Sequence, residues 1–363
     1  MALIDVILHQ GTVQKCPIAG TFELTARCNL SCKMCYIHDM SCDKALLSKE
    51  LTTQQWIDLA EQAKSNGTLV LLLTGGEPTL RGDFCEIYRA CAERGFLLTI
   101  NTNGTLLNDR IFELFREHPP LRVNVSLYGM SENVYKIMCG NSDAFYRVRT
   151  NLKRLHEMGI GVQINFSATP YNRDEVEKVY RFANEIGAPV RPTAYMFPPV
   201  RSACKKSSLR FTPEECADEM FRFLKSSCTD PVNYCRTKIN EPPMRVDECG
   251  EVFDGVRCRA GRGSFWIAYD GSMLPCGMLQ NIAFSTLTDG FEAAWKRIVE
   301  AFSEVKMPVG CTSCPDYDRC EVCPAVCYAE NGDFSVVPNY ICQKNSAYRQ
   351  RMGDFLSETE GRE

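Results

Sequence analysis

Thr21-Phe-Glu-Leu-Thr-Ala-Arg-Cys-Asn-Leu-Ser-Cys-Lys-Met-Cys-Tyr36 joins a strand-like run, Thr21 to Thr25, to Cys28, Cys32 and Cys35, whose gaps are three and two residues. A tetrahedral zinc site would ask for a fourth nearby ligand. An iron–sulfur cubane held by three thiolates instead leaves one iron open to another molecule. A strand that empties into a chemically loaded loop fits the opening unit of a parallel βα fold, where function sits at the carboxyl ends of the strands.

The same rhythm runs through the first two-thirds of the chain. Further candidate strands are Leu69 to Thr74, Leu97 to Asn101, Arg122 to Leu127, Gly161 to Ser167 and Pro189 to Tyr195. Amphipathic helical patterns lie between them, near Thr53 to Lys64, Asp83 to Arg94, Asn108 to Glu117, Asp143 to Met158 and Arg173 to Ile186. Strands alternating with helices read as an α/β chain built on a parallel sheet. Directly after the second strand comes Leu73-Thr-Gly-Gly-Glu-Pro-Thr79. Its glycines allow backbone to approach a ligand closely, Glu77 can accept from an ammonium group, and Pro78 fixes the turn. The run lacks the Lys-Ser/Thr of a phosphate loop. One βα unit after the cysteine loop, it should open on the same end of the sheet, so one ligand could bridge the two loops.

From about Pro198 the rhythm changes. The proline-bearing, basic run Pro198 to Arg210 reads as an exposed connector before a helix starting near Thr212. After Cys235 the chain becomes turn-rich and cysteine-dense, with a hairpin expected at Asp270-Gly271. Cys258, Gly271 and Cys276 give C-x12-G-x4-C. Cys311, Cys314, Cys320, Cys323 and Cys327 follow with gaps of two, five, two and three, and Cys342 closes the series. Paired CxxC steps also make zinc ribbons. Here the thiolates are too many for one zinc, and eight suit two four-iron clusters with four ligands each.

Composition says where such clusters could live. The chain holds 21 cysteines in 363 residues, well above ordinary usage and below the density of a small disulfide scaffold. Its N-terminus has no basic n-region and carries Asp5 inside a short apolar run, unlike a signal peptide. No stretch is long and apolar enough to span a bilayer, so no membrane role is expected. A reducing cytoplasm follows as the expected location, where clustered thiols ligate metals rather than pair. With 41 basic and 45 acidic residues there is no electrostatic footprint for nucleic acid. Four histidines argue against imidazole-based metal sites or triads.

The two N-terminal loops resemble those of the radical S-adenosylmethionine (SAM) superfamily, whose hallmark is a CxxxCxxC loop followed by a GGE motif on a partial (β/α)6, TIM-like barrel. The resemblance covers residues from about 20 to 200. It implies that Cys28, Cys32 and Cys35 hold a 4Fe-4S cluster whose open iron takes the amino and carboxylate groups of SAM. It also implies that Gly75, Gly76, Glu77 and Pro78 contact the methionine amino group, and that Asn103 and Ser126 lie near the cofactor's ribose and carboxylate. The family usually has an aromatic residue just before the third cysteine; here that residue is Met34, and Tyr36 can supply the aromatic wall. An electron from such a cluster breaks a carbon–sulfur bond of SAM and frees a 5′-deoxyadenosyl radical, which the protein positions and shields.

The tail resembles the SPASM domain, an auxiliary-cluster extension of radical SAM enzymes that mature peptides and proteins. By that resemblance a first auxiliary cluster would use Cys249, Cys258, Cys276 and Cys323, with Cys327 as the alternative to Cys323. A second would use Cys311, Cys314, Cys320 and Cys342, giving three 4Fe-4S clusters in all. The expected layout is a barrel over 1–200, a helical connector over 201–248 and a small, cysteine-rich α+β SPASM domain over 249–363.

The implied reaction is hydrogen abstraction from a ribosomally made peptide, leading to a thioether, carbon–carbon or related crosslink. A protein side chain, as in sulfatase maturases, or a small molecule is the alternative. Ser126-Leu-Tyr-Gly129 stands where sulfatase-maturing enzymes typically read Ser-x-Asp-Gly, which favours the peptide maturases. Only 27 residues precede Cys28, so a leader peptide would be recognised by a separate protein or by the barrel itself. A flavodoxin or ferredoxin would supply electrons. Tyr128, at a strand end, is a candidate catalytic group, and Asp247, Glu248, Glu251 and Asp254 cluster just before Cys258.

Overall fold

A computed structural model describes residues 3–37, 47–200, 209–240, 258–317 and 320–360. The strands are β1 (Ala19–Glu23), β2 (Val70–Thr74), β3 (Leu97–Thr102), β4 (Arg122–Ser126), β5 (Val162–Ser167), β6 (Val190–Thr193), β7 (Ser264–Ile267), β8 (Ser272–Leu274) and β9 (Phe284–Ser285). The helices of the first part are α1 (Leu3–Val13), α2 (Thr53–Ser65), α3 (Phe84–Glu93), α4 (Asp109–Glu117), α5 (Glu132–Cys139), α6 (Ala144–Glu157) and α7 (Val176–Glu185). Those of the second are α8 (Pro213–Ser227), α9 (Pro231–Asn240), α10 (Thr286–Asp289), α11 (Phe291–Ser303), α12 (Val309–Thr312), α13 (Pro324–Asn331) and α14 (Asn339–Glu360).

The strands owe their two faces to side-chain alternation. Leu71 and Leu73, Leu98 and Ile100, Val123 and Val125, and Ile164 and Phe166 point one way and are buried against the helices. Residues between them point the other way and are mostly half-buried. The helices start where side chains can satisfy free backbone N–H groups. Thr52 and Gln55 form a capping box for α2, Thr212 and Glu215 another for α8, and Asn108 and Ser131 cap α4 and α5. In α4 the apolar stripe Ile111, Phe112, Leu114 and Phe115 is buried and its charged face is not.

β1 to β6 pair in parallel in sequence order, the partial (β/α)6 arrangement expected. The full order is β6-β5-β4-β3-β2-β1-β7-β8-β9. The tail therefore continues the same sheet: β7 lies parallel to β1, with Ala19 opposite Ser264, and β8 and β9 follow antiparallel. The expected hairpin at Asp270-Gly271 joins β7 to β8, with Gly271 in the left-handed region at φ 84° that glycine tolerates. Helices α8 and α9, between barrel and tail, both pack on α14. Among the described residues no helix is long and apolar enough to cross a membrane.

Candidate active site

The loop after β1 is clamped before its first cysteine. Glu50 accepts two bonds from the Arg27 guanidinium, at 2.8 and 3.0 Å, and one from the Thr25 hydroxyl. Arg81, itself buried, binds Glu50, Asp83 and the carbonyls of Leu24 and Leu51. Beyond the clamp, Asn103 reaches from the end of β3. Its amide donates to Asn29 at 2.9 Å and stands 3.7 Å from Cys28 Sγ, while Asn29 donates to Thr105 at 2.8 Å. On the other side, the N–H groups of Ser31 and Lys33 bond the carbonyls of Cys139 and Met138, the end of α5.

Cys28, Cys32 and Cys35 thereby face one cavity of about 210 Å³. Burial pushes the Cys28 thiol up to about 11. The Cys32 thiol also titrates high, first through its hydrogen bond with Cys139 and then through burial. Among the described residues no three His, Cys, Asp or Glu side chains converge tightly enough for a single metal ion. Cys139 sits behind Cys32, outside the cavity lining, and donates to the Tyr135 carbonyl at 3.1 Å.

The Thr-Gly-Gly-Glu-Pro loop closes on the cysteine loop from the side. Gly76 N–H donates to the Thr25 carbonyl at 2.7 Å and Glu77 N–H to the Arg27 carbonyl at 2.8 Å. A Cβ on Gly75 would stand 2.5 Å from the Thr25 carbonyl oxygen, and one on Gly76 2.3 Å from that of Arg27. The glycines are thus required by contact between two backbones, a reason the sequence alone did not separate from approach to a ligand.

Both glycines line the cavity, as do Met34, Tyr36, Asn103, Ser126 and Tyr128. Glu77 and Pro78 are buried behind it rather than in its lining. Glu77 accepts from the Thr102 hydroxyl and the Asn103 N–H, both at 2.7 Å, and from Thr79 at both its N–H and its hydroxyl. Its carboxylate ties the β2 loop to the end of β3, and burial pushes its pKa upward. Tyr128 is committed too: its hydroxyl accepts from Cys32 Sγ at 3.3 Å, and burial holds the phenol well above its ordinary range. A phenol so placed keeps its proton and fixes a thiol.

The tail sorts its cysteines into two groups. Cys276 stands close enough to Cys258 and Cys323 to feel their charge, and Cys323 feels Cys258 and, from the second group, Cys320. Cys311 likewise feels Cys342, Cys320 and Cys314, and Cys342 feels Cys314. Cys320 accepts from the Asn345 amide, a partner the sequence did not point to. Cys327 is fully buried among Met307, Val322, Ile341 and Cys311, and burial, with Cys311, Cys323 and Cys320 nearby, pushes its thiol up to about 12. Cys249, Cys42, Cys204 and the acidic residues Asp247, Glu248, Glu251 and Asp254 lie outside the described residues.

Residues 22–183, from β1 into α7, match the family model of the radical SAM superfamily. These residues form a radical SAM domain. The chain is 28% identical over 329 residues to an AdoMet-dependent heme synthase of Methanosarcina barkeri, covering 86% of this chain and 93% of that protein. Over 166 residues it is 36% identical to a probable GTP 3′,8-cyclase of Saccharolobus islandicus, covering 45% of this chain and 52% of that one. In fold it resembles Streptococcus suis SuiB bound to its precursor peptide SuiA, with a TM-score of 0.69, 19% identity and coverage of 93% and 78%. It also resembles anSMEcpe with bound AdoMet and a peptide, with a TM-score of 0.71, 16% identity and coverage of 96% and 100%. The radical SAM family implies a 4Fe-4S cluster and SAM. Three thiols facing one cavity, flanked by amide and hydroxyl groups, are a donor set suited to both.

Proposed function

We propose that the chain cleaves SAM reductively at a 4Fe-4S cluster held by Cys28, Cys32 and Cys35, and that the radical so made takes hydrogen from a peptide substrate. The observation that carries this is the meeting of the cysteine and glycine loops around one cavity. The bound cluster and SAM supply one-electron chemistry beyond any side chain. The chain's own residues bind and orient. Gly75 and Gly76 offer bare backbone at the cavity wall, Asn103 and Ser126 offer polar contacts, and Tyr36 or Met34 forms the apolar side. Tyr128 and Asn103 hold Cys32 and Cys28 in place.

In the tail, Cys258, Cys276 and Cys323, with Cys249, are proposed to hold one auxiliary cluster. Cys311, Cys314, Cys320 and Cys342 would hold another. Cys323 is preferred over Cys327 because Cys323 stands with Cys258 and Cys276, whereas the cysteines around Cys327 are Cys311, Cys323 and Cys320. A flavodoxin- or ferredoxin-type protein is the proposed electron donor, with the cytoplasm as its setting. Support for a peptide substrate comes from the two peptide-bound structures of the same fold. A second reading, chemistry on a tetrapyrrole, is favoured by the nearly full-length match to a heme synthase.

Anaerobic reconstitution with iron and sulfide, followed by SAM and a strong reductant, should release 5′-deoxyadenosine. Replacing Cys28, Cys32 and Cys35 by Ala should abolish that release and remove about four of about twelve irons per chain. Zinc in place of iron, or no release from the wild type, would overturn the proposal. Mass measurement of a co-expressed precursor peptide separates the substrate readings: a loss of two mass units marks an oxidative crosslink.

A further inference from the structure

The sheet's inner face is polar along β3 to β6. Register sets two layers there. Asn101, Asn124 and Gln163 lie side by side, and one step nearer the strands' carboxyl ends so do Ser126, Asn165 and Arg191. Asn101 and Ser126 line the cavity of the cysteine loop, and Asn124, Gln163, Asn165 and Arg191 continue the same face of the sheet beyond that lining. Buried polar groups need partners, and most here have them. Asn124 Nδ2 donates to Asn101 at 2.8 Å, and Gln163 donates to Asn165 at 3.0 Å.

Two groups are left over. Asn124 Oδ1 is buried without a hydrogen-bond partner. Arg191 is exposed on β6, and among the described residues no carboxylate pairs with it. Glu23, the inner-face carboxylate of β1, lies five strands from β6 and accepts from Trp266 Nε1 at 2.8 Å. The face therefore holds a buried acceptor without a donor and, at its β6 edge, an exposed cation open to an incoming anion. Strands β4 and β6 are about 10 Å apart, a gap that an arginine side chain and one amino-acid residue bridge together.

We propose that the inner face of β4 to β6 seats an acidic residue of the peptide substrate, with its carboxylate on Arg191 and a backbone N–H on Asn124 Oδ1. This rests on the peptide reading of the substrate above. Such a seat would fix the substrate's register before any hydrogen is removed, which is where specificity among similar carbons is decided.

The test is a binding ratio on the reconstituted holoenzyme with SAM present and no reductant. The probes are acetyl-Gly-Glu-Gly-amide and acetyl-Gly-Gln-Gly-amide, with a propionate-bearing tetrapyrrole and its amide as a second pair. The glutamyl peptide should bind about ten-fold more tightly than the glutaminyl one, the size of one charge-assisted hydrogen bond. Arg191→Gln should bring that ratio close to one, Arg191→Lys should keep part of it, and Asn124→Leu should weaken both peptides alike. Unchanged iron content shows that each variant is folded. Three results overturn the proposal: a wild-type ratio near one, including no binding of either peptide; a ratio that survives Arg191→Gln; or an Arg191-dependent acid preference for the tetrapyrrole alone. Because no SAM turnover is read, failure here is distinct from failure of the wild type to release 5′-deoxyadenosine.

Discussion

Gly76 and Glu77 show how two adjacent residues can serve one site without sharing a task. Gly76 exists as glycine because the Arg27 carbonyl lies where a Cβ would go. Gly76→Ala should cost about 2–4 kcal/mol of stability, since the obstacle is backbone and cannot rotate away. Cluster iron should fall with it, measured by iron assay beside chemical denaturation. Glu77 is a latch. Truncating it to Ala strands the Asn103 N–H and the Thr102 hydroxyl in a dry interior, at about 1–3 kcal/mol for each unsatisfied group. Denaturation midpoints of Glu77→Ala and Glu77→Gln should rank with the amide less damaging. Spacing alone led to the cysteines and the glycines, because iron–sulfur chemistry needs thiols close in sequence. It could not tell a carboxylate facing a ligand from one turned into the fold. That choice is made by Thr102 and Asn103, from another strand.

At the scale of elements, the Arg81 and Asp83 pair joins three segments: the cysteine-loop clamp, the start of α3, and α2 through Thr53. Burial alone would raise the Asp83 pKa; hydrogen bonds from Arg81 and Thr53 more than offset it, and the net shift is downward. A carboxylate with a depressed folded pKa adds stability that is complete above its ordinary value of 3.8 and is lost as pH falls through the folded one. Asp83→Asn should therefore flatten the acid limb of the melting-temperature profile below about pH 4 and lower the plateau above it. The tail gives a second expectation. Cys323→Ser should remove about four irons, while Cys327→Ser should keep them all and lose only packing, about 1–2 kcal/mol. Strands β2 to β6 and helices α2 to α4 were legible because each carries its own period, with capping side chains at the starts of α2 and α4. Helix α5 was not: it is eight residues long and begins just past a strand-end loop, so its pattern merged with the turn.

For the whole molecule, barrel and tail share one sheet through the parallel pairing of β1 with β7. No local pattern announces such a pairing, since β7 is a short strand whose partner lies near the other end of the chain. Residues 1–200 expressed alone would leave the β1 edge with unpaired N–H and C=O groups beside the cysteine loop. That fragment should elute as aggregate on size exclusion, while the full chain does not. The same pairing sets an order of events during synthesis. While β7 is still being made, β1 has a neighbour on one side only, and the loop it carries is held from one side. Closing that contact spans most of the chain, the kind of late, non-local step that slows folding. The first cysteine loop is therefore not fully framed until the ribosome has passed β7, and iron delivery to Cys28, Cys32 and Cys35 should follow the emergence of that strand rather than precede it.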